Sequence, residues 1–122
     1  MLIIRQKQME SFRRDRLLQF RRLLIQDLGA ALTNAGISWA PAEIERQADL
    51  GAAYAENAGF SRECDAARFT ILICRHLGGF TEAPLPKAVF DIGRAFGSAP
   101  EVRLQRLEAW LMHCRERQSY AR

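Results

Sequence analysis

Residues 6–35 constrain the fold more than any other stretch of this chain. Met9, Phe12, Leu17, Phe20, Leu24, Leu28 and Ala31 recur at mostly three- and four-residue steps. That is the period of a helix with one apolar face. The pattern predicts a helix from Gln6 to Ala35, stopped by Asn34 and Gly36, residue types that tolerate the left-handed C-terminal conformation. A stripe of this kind has to be buried against other elements of the domain.

The rest of the sequence supplies those elements. Pro41 suits the first turn of a second helix over Ala42–Ala58, with a small-residue face of Ile44, Ala48, Ala52 and Ala55 and a stop at Gly59. Ser61 is a candidate N-cap for a third helix, with Glu63 and Asp65 in its first turn. Its run Phe69-Thr70-Ile71-Leu72-Ile73-Cys74 is apolar nearly all round, as in a central buried helix. Gly78-Gly79 ends it, and Phe80–Pro86 is a loop. A short fourth helix is expected over Lys87–Phe96, ending at Gly97. Ser98-Ala99-Pro100-Glu101 matches a capping box, and a fifth helix follows to Gln118 with Leu104, Leu107, Leu111 and Cys114 on one stripe. The expected fold is all-α: a compact bundle of about five helices with a long basic N-terminal helix. At 122 residues it forms one domain, with an apolar lead over residues 1–5 and a frayed tail over 119–122.

Charge is segregated. Between Arg5 and Arg22 there are seven basic residues and two acidic ones, whereas residues 23–100 carry six basic and nine acidic side chains. Five Arg and three Glu follow from residue 101. Basic ends flanking an acidic middle suit self-association, an acidic protein partner or nucleic acid. The arginines of the first helix wrap around it instead of forming one stripe, and no helix-turn-helix or stacking aromatic accompanies them. This favours a solvated charged face, or one that meets the acidic middle segment of its own or another chain, over phosphates. The apolar lead, Met1–Ile4, is too short for a signal peptide or a membrane span, so a cytoplasmic protein is expected.

No catalytic constellation emerges. Cys64, Cys74 and Cys114 are an odd number without repeated spacing, against a disulfide framework. His76 and His113 each lie near a cysteine but without the paired spacing a metal site needs. No carboxylate pair has catalytic spacing, and Gly78-Gly79 follows a helix instead of preceding one, so it is no phosphate cradle. The expectation is a protein without catalytic residues, metal or cofactor.

Several stretches carry a family resemblance. They are Ile3-Ile4-Arg5-Gln6-Lys7-Gln8-Met9; then Tyr54-Ala55, Gly59-Phe60, Glu63, Asp65 and Arg68-Phe69; then Leu77-Gly78-Gly79-Phe80, Leu85-Pro86, Arg103-Leu104 and Leu107. Together they resemble small bacterial proteins encoded beside type VI secretion effectors, PAAR-type spike proteins and their chaperones. The chain departs from that pattern in Phe80–Pro86, where an Asp and a Pro-Trp step are more usual. The resemblance implies a co-chaperone or adaptor that binds an effector chaperone, an effector or a PAAR-type spike protein, without catalysis. No packing rule requires Arg5 or Gln8. With Arg13, Arg14, Arg21 and Arg22 they are the expected partner-binding residues. An immunity protein blocking a toxin and a small nucleic-acid binder are the alternatives. A homodimer could form through the helix 5 stripe or through Trp39 and Trp110.

Overall fold

The computed structural model describes residues 5–95 and 97–120, with side chains described over 14–95 and 97–114. Five helices follow in order: α1 Arg5–Asn34, α2 Pro41–Asn57, α3 Glu63–Leu77, α4 Lys87–Gly93 and α5 Pro100–Tyr120. Among the described residues there is no strand. Glycine ends α1 and α2 in the same manner. Gly36 (φ 76°) and Gly59 (φ 91°) take the left-handed conformation. The next N–H in each case turns back on the helix: Ile37 donates to the Leu32 carbonyl at 2.8 Å, and Phe60 to that of Ala55 at 2.9 Å. This double closure satisfies carbonyls that a helix end would leave open.

The apolar run in α3 explains the architecture. Phe69, Thr70, Leu72, Ile73 and Cys74 are all buried, and α3 packs against α1, α2 and α5 at once. Around it gather Leu24, Leu28 and Leu32 of α1, Ala48 and Ala55 of α2, Val89 of α4, and Leu104, Leu107 and Leu111 of α5. The helix 5 stripe is therefore core and is not available as a dimer surface. Trp39 and Trp110 are partly buried against the same core.

Three local expectations need correction. Ser61 does not cap α3. The chain stays extended through Arg62 (φ −81°, ψ 142°), and the helix starts one residue later, without a side-chain cap. Ser98 does not begin a capping box either. The Ala99 carbonyl accepts the first bond of α5, from the Arg103 N–H at 3.1 Å, and Pro100 opens the helix as Pro41 opens α2. Ser98 instead accepts a bond from Arg106 at 3.2 Å. Finally, α4 ends at Gly93, before Phe96, at a close tertiary contact. Gly93 lies so close to the Ala58 carbonyl that a Cβ there would sit far inside van der Waals distance. At the other end of the chain, α5 runs to Tyr120, and residues 1–4 of the expected lead and 121–122 of the expected tail lie outside the described residues.

This backbone contact yields a test. Gly93→Ala should cost about 2–3 kcal/mol in urea unfolding, the scale of core overpacking. Gly97→Ala, where nothing lies within 4 Å, should leave the midpoint almost unchanged.

Candidate functional site

A groove of about 530 Å³ lies between α1, α2 and the start of α3. Its floor is apolar: Phe20, Leu24, Ala48, Ala52, Phe60 and Ala66. Two interhelical ion pairs close its sides. Arg21 of α1 forks onto both carboxylate oxygens of Asp49 in α2, at 2.7 and 3.1 Å. Arg16 of α1 donates to Glu63 of α3 at 3.0 Å. Each pair is exposed to solvent and adds little to stability by itself. Their geometric effect is larger, because they hold α1 against both neighbours while the space between stays open. The Asp49 carboxylate keeps the Arg21 pKa above its ordinary value.

The apolar stripe of α1 outruns the bundle. Leu24, Leu28 and Leu32 are buried, Phe20 is half-buried, but Leu17 is 65% exposed. Leu18 and Leu23 are exposed as well, at 56% and 49%. The expected partner-binding residues divide accordingly. Arg5, Gln8 and Arg13 lie outside the residues with described side chains, as do Met9 and Phe12. Arg21 is engaged with Asp49. Arg14 and Arg22 are exposed and make no ion pair among the described residues. With Leu18 midway between them they stand at four-residue steps, which puts all three on one stripe of α1. That stripe is separate from Leu17, Phe20 and Leu24 in the groove.

Tyr54, Phe60, Phe69, Phe80 and Arg103 are packing positions. Tyr54 stacks on Phe80 (centroids 5.2 Å apart, planes at 12°), Phe80 meets Phe69 at 6.2 Å, and Phe69 meets Phe60 at 5.5 Å. Arg103 lies over the Phe60 ring at 5.2 Å and donates to the carbonyls of Gly59 and Gly93. Arg94 donates to the Asn57 carbonyl at 2.8 Å. Two arginines thus meet the C-terminal end of α2, where the helix dipole favours cations.

Sequence reasoning missed the buried side chain of Gln47. Its amide accepts from the Phe80 N–H at 2.6 Å and donates to the Phe80 carbonyl at 2.9 Å, and it donates to Glu43 at 2.9 Å. The Phe80–Pro86 loop is therefore anchored at its first residue. No local signal marks Gln47, since a glutamine in mid-helix usually faces water.

The cysteines and histidines do not assemble a reactive set among the described residues. Burial pushes the Cys74 thiol from its ordinary 9.0 up to about 12, with the Glu43 charge adding to the effect. That keeps it from ionising, and the thiolate is the nucleophile. His76 is half-buried in the last turn of α3, and His113 is exposed on α5. Among the described residues no group of three or more His, Cys, Asp or Glu is placed to hold a metal ion, and no helix is long and apolar enough to cross a membrane. A second hollow of about 310 Å³ lies at the α1–α2 turn, lined by Leu32, Ile37, Trp39 and Ile44 among others. Comparison with family models, with curated proteins and with solved structures finds no match.

Gln47→Leu should strand both backbone groups of Phe80 and cost about 2–4 kcal/mol, measured by chemical denaturation. The Cys74 thiol gives a pH test with a defined sign. It ionises at 9.0 in its ordinary setting and only at about 12 in the fold, so its contribution is complete below 9.0 and lost as pH rises through that window. Unfolding midpoints should fall across it. At mildly alkaline pH, iodoacetamide should label the exposed Cys64 in the native protein and Cys74 only after denaturation.

Proposed function

We propose that this protein is a non-catalytic binding accessory, an adaptor or co-chaperone for loading type VI secretion effectors. Its partner in that reading is an effector chaperone, an effector or a PAAR-type spike protein, met in the cytoplasm. The secretion setting rests on the resemblance in the sequence. The mode of binding rests on one observation: Arg14, Leu18 and Arg22 form an exposed stripe in which neither arginine has an ion pair among the described residues. An apolar residue between two available guanidinium groups fits a protein surface that offers carboxylates around an apolar spot. Guanidinium groups recognise carboxylates by paired, planar hydrogen bonds, and a central leucine supplies the apolar anchor such contacts surround.

The test is capture of the tagged protein from its host, with mass spectrometry of what accompanies it. The doubly reversed variant Arg14→Glu/Arg22→Glu should lose the partner, with affinity down at least about tenfold, while Arg68→Glu/Arg75→Glu on α3 should retain it. Recovery of no secretion chaperone, effector or PAAR protein would remove the proposal. Recovery of a toxin alone, with protection of cells that express it, would replace it by an immunity role.

A further inference from the structure

The groove of about 530 Å³ has an apolar floor and charged edges, and an occupant has to match both. We infer that the occupant is a second copy of this chain. The N-terminal half of its α1 lies antiparallel to Leu17–Leu24, and the exchange is mutual in a two-fold dimer.

Charge is the first argument. The α2 edge beside the groove carries Glu45, Asp49 and Glu56, all exposed, with Ala52 and Ala53 between the latter two. These acidic positions repeat at four and seven residues, so they share one stripe of α2. Asp49 is occupied by Arg21 of its own chain, which leaves Glu45 and Glu56. The docking segment, Arg5 to Arg16, carries five basic and two acidic residues. A basic segment of one copy therefore meets an acidic edge of the other. A two-fold axis makes the same match twice, the self-complementarity an isologous interface requires.

Length and pattern agree with this. The helical residues Arg5–Arg16 precede the groove wall. At 1.5 Å per residue they reach about 18 Å, against about 12 Å for Leu17–Leu24. The basic half is thus long enough to fill the groove. In the sequence, the three- and four-residue apolar spacing also continues upstream of Leu17 through Phe12 and Met9, the pattern a helix needs to meet an apolar floor. This dimer uses a face of α1 distinct from the Arg14–Leu18–Arg22 stripe, so it stands apart from the adaptor reading.

Sedimentation equilibrium on the full chain tests the inference. The protein should be a dimer at micromolar concentration in low salt and dissociate progressively as salt rises. Ala53→Arg puts a cation into the acidic edge at an exposed position. It should raise the dimer dissociation constant at least about tenfold, with circular dichroism unchanged. Leu17→Glu, also at an exposed position, should act in the same direction. A photo-cross-linking residue in place of Met9 should couple to the 45–56 segment of a differently isotope-labelled copy. A chain that stays monomeric at every concentration would overturn the proposal. So would a dimer indifferent to both substitutions, or a cross-link that lands on another protein while the chain is monomeric.

Discussion

The fold depends on a pair of helices that approach too closely for a methyl group. A Cβ at Gly51 of α2 would fall inside the Thr70 side chain of α3. The Thr70 hydroxyl is satisfied within its own helix, donating to the Ala66 carbonyl at 2.9 Å, so it asks nothing of α2. The buried face of α2 is correspondingly slight: Gln47, Ala48, Gly51 and Ala55. Close packing of this kind maximises dispersion contacts between backbones. It also places α3 where α1 and α5 can reach its other sides. The same small residues have a second effect. Ala48 and Ala52 present too little bulk to fill the space beside Phe20 and Leu24, and the groove is what remains.

Polar side chains fix what the apolar contacts leave free. Hydrophobic packing is non-directional, so it holds helices together without specifying how loops attach. Gln47 settles that for the α3–α4 loop by pairing with both backbone groups of Phe80. Arg94 and Arg103 settle it for the corner where α2, α4 and α5 meet. Buried hydrogen bonds of this type are costly to leave half made, which turns each into a selector of one arrangement. The aromatic chain from Tyr54 to Phe60 links the two anchors through the core.

The sequence made the helices legible wherever the signal was local. The period of α1, the all-round apolarity of α3 and the terminating roles of Gly36 and Gly59 depend on neighbours within a few residues. Signals that need distant partners were hidden. Arg21 reads as one of several free cations until Asp49, 28 positions away, is seen to accept it. Gln47 and Phe80 are 33 apart. Ser61 and Ser98 have the right chemistry to cap, but the chain enters its helices one residue later. Leu17 fits its stripe perfectly in sequence and is exposed all the same, because the helix extends past its neighbours. Of the expected partner-binding residues, Arg14 and Arg22 keep the exposure that role needs, and Arg21 is shared with the fold.

The Arg103 guanidinium also joins segments that are unequally far apart in the chain. Its two carbonyl acceptors lie at very different distances along the chain, 10 residues to Gly93 and 44 to Gly59. Closing the shorter loop is cheaper in conformational entropy by roughly 1 kcal/mol. The α4–α5 corner therefore holds its half of the junction at the smaller entropic cost, and the end of α2 is tied in by the bond that spans the longer loop.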